Sequence, residues 1–240
     1  MTMGNIDIEA IAQHELINSG SSPTNNQQFD RDGYLILRNL WDPQDLFCTP
    51  PEKKGQYTYF GKLDKFSHIS EESQVNGSTS RYFYPPYIYA HSQIRLKLEK
   101  VIGKKLYNTY FYDRFYNPGQ ELKIHTDRAA CEISVTVHVS TNAKTPWPIW
   151  IKTPDVYEDS SKTVIKKEGE KRSVLLNPGD GMIYKGCERP HWREPMAHEY
   201  ERTWYGMKKE KQGLYYHQVF FHYVLADGLR AQCANDMAKI

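Results

Sequence analysis

The sequence predicts a mainly β protein with supporting helices, built as an antiparallel barrel or sandwich. Three observations carry that expectation. Short, partly alternating apolar runs recur from residue 106 onward, separated by Gly, Pro, Asn and Asp. Only one sustained helical pattern precedes them, at residues 87–103. Neither a Gly-x-Gly-x-x-Gly nor a Walker pattern marks a doubly wound nucleotide-binding sheet.

Taken along the chain, residues 6–16 read as a short helix, and residues 1–28 as a loose lead-in rich in Gly, Ser and Asn, with order beginning near Phe29. Tyr34-Leu35-Ile36-Leu37 is a compact strand. Asp42-Pro43 matches an N-cap followed by proline at the first helical position, where its missing N–H costs nothing. From Cys48 to Pro86 the chain is aromatic and turn-rich without a period, as expected of a segment that wraps the core or covers its mouth. In helix 87–103, Ile88, His91, Ile94, Leu98, Val101 and Ile102 form one side, and Gly103 ends the run. Strands are expected at 106–116, 121–127, 133–139, 147–151, 163–166, 172–176, 181–184 and 217–225. Residues 1–240 are read as a single catalytic domain with its barrel core at 106–225 and an insertion at 196–216.

Hydrophobic residues make up 39% of the 240 and aromatics 13%, so a sizeable core is available. The formal charge of +2 is too balanced to suggest a nucleic acid or an anionic membrane as partner. The four cysteines lack C-x-x-C spacing, which speaks against a disulfide framework or a thiolate metal site. No signal-peptide pattern and no apolar run near 18 residues is present, so a cytoplasmic protein is expected. No heptad decides the oligomeric state.

Chemistry concentrates in Tyr116-Asn117-Pro118-Gly119-Gln120-Glu121-Leu122-Lys123-Ile124-His125-Thr126-Asp127. On a strand, His125 and Asp127 point to one face. Imidazole and carboxylate joined by a second imidazole make a facial set suited to non-haem iron, with positions left open. His191 is the best second histidine, because it leaves a strand–turn–strand unit that can return toward His125. His138, His217 and His222 are strand histidines that neighbouring backbone groups can satisfy.

Residues 116–127 and 175–195 resemble the metal-binding motifs of the iron(II)- and 2-oxoglutarate-dependent dioxygenases, especially the prolyl-4-hydroxylase-like and phytanoyl-CoA-hydroxylase-like branches. The resemblance spans residues 29–46 and 106–225. It implies a double-stranded β-helix, the cupin-like jelly roll, with His125, Asp127 and His191 as catalytic iron(II) ligands and with 2-oxoglutarate and dioxygen as cosubstrates. Related halogenases have a small residue where Asp127 stands, so the resemblance implies hydroxylation, with succinate and carbon dioxide as coproducts. Desaturation or cyclisation could use the same ligands.

Tyr116 resembles the family tyrosine that donates to 2-oxoglutarate, and Tyr110, Tyr112 and Arg114 alternate with it toward the same side. The distal carboxylate of 2-oxoglutarate needs a cation or strong donors. At this point the sequence departs from the family pattern, leaving Arg193, which shares a strand face with His191, beside Arg202, His217 and Gln218 as candidates. Trp192 is the tryptophan expected nearest the substrate. Segments 196–216 and 50–84 are expected to form the substrate mouth, the former as a closing lid. A small molecule or amino acid is the favoured substrate, ahead of a peptide or protein. Two other readings stand beside this one: a cupin-like metalloenzyme that does not use 2-oxoglutarate, and a non-catalytic jelly-roll binding protein. Succinate formation separates them.

Overall fold

Strands β4 (Leu106–Tyr116) and β15 (Tyr216–Leu225) form the spine of the molecule, because both alternate two complete sets of buried side chains. Tyr110, Tyr112, Arg114 and Tyr116 point to one face of β4, and Phe111, Asp113 and Phe115 to the other. The pairing Gln218↔Arg114 and Phe220↔Tyr112 carries the same division onto β15. This is seen in a computed structural model that describes residues 23–49, 68–71, 74–160, 163–234 and 236.

Around that spine lie α1 (Pro23–Asp32), β1 (Tyr34–Leu37), α2 (Pro43–Leu46), β2 (His68–Glu71), β3 (Thr79–Tyr82) and α3 (Tyr87–Ile102) on the N-terminal side. After β4 come β5 (Leu122–His125), β6 (Ile133–Thr141), β7 (Ile149–Lys152), β8 (Val156–Ser160), β9 (Thr163–Lys167), β10 (Lys171–Val174), β11 (Gly181–Tyr184), β12 (His191–Arg193), β13 (Tyr200–Arg202) and β14 (Lys208–Glu210). Pairing is antiparallel throughout. A seven-stranded sheet runs β1-β11-β6-β15-β4-β3-β2 and a four-stranded sheet runs β10-β7-β12-β5, while β8–β9 and β13–β14 are separate ribbons. The protein is therefore antiparallel sheet with helical support.

Helix α3 covers the outer face of the large sheet with Tyr87, Ala90, Ile94 and Leu98 buried, and Gly103 ends it at φ 67, a conformation glycine adopts without Cβ strain. Beneath it, Asp113 accepts from Arg81 Nε at 3.0 Å and from Tyr87 at 3.0 Å, and contacts His217 Nε2 at 3.0 Å. The inner face turns toward the small sheet: Tyr34, Ile36, Met182 and Tyr184 pack with Ile149, Ile151, Val174 and Leu176.

Several expectations change. Ordered structure starts before Phe29, since residues 23–28 of the expected lead-in belong to α1. Ile88 is 55% exposed, and Tyr87 takes its place on the buried side of α3. Strands β2, β3, β8, β13 and β14 were not expected, being short or highly polar. The helix expected at 6–16 and most of segment 50–84 up to residue 67 lie outside the described residues. Among the described residues, no helix is long and apolar enough to cross a membrane.

Candidate metal centre

Two chain segments deliver the three expected ligands. Strands β5 and β12 pair so that His125 stands opposite His191, and their rings meet at 4.3 Å between centroids. Asp127 follows β5, and its backbone N–H donates to the Gly186 carbonyl at 2.9 Å, tying it to the loop after β11. His125 Nε2 and His191 Nε2 each lie 3.6 Å from Asp127 Oδ1. The three potential ligand atoms lie within 4.8 Å of one another.

The hydrogen bonds behind these atoms set their chemistry. His125 Nδ1 lies 2.8 Å from the Lys123 carbonyl and His191 Nδ1 lies 2.9 Å from the Arg189 carbonyl. A carbonyl only accepts, so each imidazole carries its proton on Nδ1 and presents a bare Nε2 toward Asp127. Ser134 Oγ donates to Asp127 Oδ2 at 2.9 Å, which leaves Oδ1 facing the imidazoles. His191 is shifted downward by burial, which keeps its ring neutral. Two neutral imidazoles and one carboxylate are the donor set that a ferrous ion accepts.

Ser134 has a single hydroxyl proton, and it donates that proton to Asp127. Its 2.9 Å contact with His222 Nδ1 therefore requires His222 to donate from Nδ1, which leaves the buried Nε2 of His222 as an acceptor without a protein partner. Asp127, Cys131 and His222 also cluster within 4.8 Å. That group is less suited to a metal, because Ser134 bonds both Asp127 and His222, while Cys131 Sγ is engaged by Tyr110 Oη at 3.1 Å. Burial also pushes the Cys131 thiol far above its usual range.

Further along the cavity, the two sheets bring together Arg193, Gln218, Tyr116 and Arg114. Arg193 is 1% exposed and shares the inner face of β12 with His191. Its guanidinium donates to the Trp147 carbonyl at 2.6 Å and to Gln218 Oε1 at 2.9 Å, and it lies 4.5 Å from the Trp147 ring centroid. Among the described residues no carboxylate pairs with it, and its Nε is buried without a partner, as are Gln218 Nε2, His138 Nε2 and Thr136 Oγ1. Arg114 donates to Tyr116 Oη at 3.1 Å, leaving the tyrosine's own proton to donate elsewhere. Tyr110 and Tyr112 stack in parallel on the same face, 6.1 Å apart, with His222 4.6 Å from Tyr110.

Other candidates stand apart from this cavity. His217 points to the opposite face of β15, stacked on Phe115 at 4.0 Å and bound to Asp113. Arg202 is exposed on the β13–β14 ribbon. Trp192 also turns outward and stacks on Trp150 at 5.9 Å, as strand alternation requires. The ribbon within 196–216 is rooted at the Arg193 end of the two sheets: Glu199 accepts from the Thr145 N–H at 2.7 Å, and Gly119 donates to the Met196 carbonyl at 2.8 Å. Two residues of the site escaped the sequence reading. Ser134 was legible only as a polar position in a strand, and Gly186 only as a turn glycine. A Cβ on Gly186 would fall 2.4 Å from Asp127 Oδ2 and 2.3 Å from the Cys131 carbonyl.

Solved structures share this arrangement of elements. An oxidoreductase of the 2OG-Fe(II) oxygenase family from Burkholderia pseudomallei superposes with a TM-score of 0.56 at 10% identity, covering 94% of this chain and 98% of that one. This chain has the fold of the iron(II)/2-oxoglutarate oxygenases. EctD from S. alaskensis, solved with 2-oxoglutarate and 5-hydroxyectoine, gives a TM-score of 0.55 at 13% identity over 90% of this chain and 81% of that one. The epimerase SnoN from nogalamycin biosynthesis gives 0.51 at 9% identity over 83% and 82%. No family model matches the chain, and no curated protein matches it.

Proposed function

We propose that the protein is an iron(II)- and 2-oxoglutarate-dependent oxygenase that hydroxylates a C–H bond of a small molecule or amino acid. One observation carries this reading: His125 Nε2, Asp127 Oδ1 and His191 Nε2 converge from separate segments with their lone pairs directed at one another. Such a convergence of acceptors, His191 buried and the other two partly so, has no structural use unless a cation joins them. The two sheets are read as the halves of a double-stranded β-helix, and residues 1–240 as one catalytic domain.

In this reading His125, Asp127 and His191 hold iron(II), and Ser134 fixes which oxygen of Asp127 is offered. Iron with bound 2-oxoglutarate supplies the oxidising chemistry: one atom of dioxygen enters the succinate formed with carbon dioxide, and the other enters the substrate. Arg193 is assigned the distal carboxylate. Two residues of strand separate it from His191, about 6.6 Å, which matches the reach of a five-carbon dicarboxylate. A buried guanidinium without an acid is electrostatically incomplete, and a carboxylate bonded by Arg193 Nε and Gln218 Nε2 completes it. The Tyr116 hydroxyl is available as a further donor to the same cosubstrate. The parallel rings of Tyr110 and Tyr112 and the acceptor Nε2 of His222 border the other side of Asp127 and are assigned to the substrate, which then carries an N–H or O–H donor. The β13–β14 ribbon closes the Arg193 end and is not needed as a lid over the iron.

The deciding experiment combines anaerobic iron(II) titration with a succinate assay against amino acids and small metabolites. Stoichiometric iron binding that disappears in His191→Ala, with substrate-stimulated succinate release, is the expected result. Iron binding without any 2-oxoglutarate turnover would return the cupin-like reading, and absence of both would return the binding protein.

A further inference from the structure

The outer face of the small sheet carries a pattern unrelated to the cavity behind it. Trp150 and Trp192 lie side by side on β7 and β12, stacked at an interplanar angle of 12° over a groove of about 540 Å³. Two residues along the strands in one direction, the register places Lys171 opposite Lys152. Two residues in the other direction come Glu194, beyond Trp192, and Glu121, beyond the Leu122↔Arg193 pair. Lys171 and Glu121 thus occupy opposite corners of the four-stranded face, and the tryptophan pair sits at the middle of the diagonal joining them.

The charges at those corners have no ionic partner, although the Lys171 ammonium leans over the Trp192 ring, 5.9 Å from its centroid. Among the described residues no acid pairs with Lys171 or Lys123 and no base pairs with Glu121, whereas Lys152 is answered by Asp155 at 3.3 Å. Glu194 accepts from the Trp192 indole at 2.9 Å, which occupies that carboxylate and fixes the ring beside Trp150. Beside the rings, Ile124 is 60% exposed. A basic corner, an aromatic centre and an acidic corner in a line form a surface that becomes its own complement when turned by half a revolution about an axis crossing the diagonal between the tryptophans.

We infer that this face is an isologous interface between two copies of the chain, with Trp150 and Trp192 stacking across the axis and Lys171 meeting the partner's Glu121. The twofold operation satisfies both corner pairs at once, which no unrelated partner of single charge would do. Trp192 is 9% exposed and serves as the floor of the face, while half-buried Trp150 is the ring a partner can still cover, an aromatic ringed by charge as in an interface anchor. The face is small beside the roughly 800 Å² per partner of a standard interface. The β8–β9 ribbon continues from β7 and β10 and carries exposed Val156 and Ile165 on one face and Tyr157 and Val164 on the other, so a partner could gain two apolar residues from whichever face it meets. The dimer is therefore weak and reversible.

Sedimentation velocity of the full chain between about 1 and about 500 µM tests this, since mass action makes the dimer concentration-dependent. The expected result is a rise from monomer to dimer mass. Lys171→Glu and Glu121→Lys each break two symmetric contacts and place like charges together, weakening association about 10-fold. Combining K171E with E121K restores it, because the pair is re-formed with its signs exchanged. Both side chains are exposed, and the milder Lys171→Gln and Glu121→Gln should fall between wild type and the reversals. A monomer at every concentration overturns the inference. So does a dimer indifferent to both reversals, or a combined variant as weak as either single one.

Discussion

Arg193 concentrates the residue-scale argument, because its charge is buried while among the described residues it meets carbonyl, amide, hydroxyl and ring partners and no carboxylate. Hydrogen bonds to a charged group contribute about 1.5–3 kcal/mol each, so Arg193→Met should weaken 2-oxoglutarate affinity by roughly 10- to 100-fold. The same change removes an unpaired buried cation, so the ligand-free melting temperature should hold or rise. Calorimetric titration with 2-oxoglutarate under anaerobic conditions, beside thermal melts, separates the two effects; a large loss of ligand-free stability would make Arg193 structural. Ser134 acts one bond further from the metal. Ser134→Ala frees Asp127 Oδ2 and unties His222, and supporting hydrogen bonds of this kind commonly alter metal affinity by about 10- to 100-fold. Anaerobic iron(II) titration of that variant reads the loss directly, and an unchanged dissociation constant would show that packing alone orients Asp127.

At the scale of elements, the loop after β11 positions the site by being thin. Gly186 has room for no side chain: its Cβ would enter the space of Asp127 Oδ2, the Cys131 carbonyl and Ser134 Oγ, which would lie 2.8 Å away. Gly186→Ala should therefore displace Asp127 and reduce iron affinity at least as much as Ser134→Ala, with a melting temperature lowered by a few degrees for about 1–3 kcal/mol of overpacking. Intact iron binding in that variant, with only the melting temperature lowered, would locate the strain in the backbone instead. The periodic elements were legible because burial on a strand repeats every two residues: β4, β6, β11 and β15 announce themselves in sequence. His191 and Arg193 could be assigned one face of β12 for the same reason. His217 was misplaced because a register shift between His217 and Gln218 against β6 cannot be read from either strand alone. Strand β8 and the ribbon β13–β14 lacked a legible pattern, the ribbon because both of its faces are largely exposed, so nothing selects alternation. Gly186 and Ser134 were invisible as site residues because their roles depend on contacts between β6 and a loop some fifty residues away.

Over the whole molecule, the buried histidines make stability depend on pH in a definite direction. Burial lowers His91 from 6.5 to about 3, and it lowers His138 and His222 from 6.5 to about 4. Each remains neutral in the folded state while the unfolded chain takes up a proton as pH falls below 6.5. The unfolded state therefore binds more protons throughout the window from 6.5 down to about 4, and stability falls with falling pH across it. His91 extends the slope toward 3, because its ring, stacked on Phe221 at 5.5 Å and set against the His222 carbonyl at 3.1 Å, lies under α3 away from any acid. Asp113, held low by its partners, adds its own loss only below the ordinary carboxylate range near 3.8. Thermal melts between pH 8 and pH 4 should thus be nearly flat above about 7 and descend below it. Replacing His91 with Phe, which cannot be protonated and fills a similar volume among Phe111, Phe221 and Tyr223, should flatten that descent without changing the triad. An equal descent in His91→Phe would assign the acid sensitivity to His138 and His222 between the sheets.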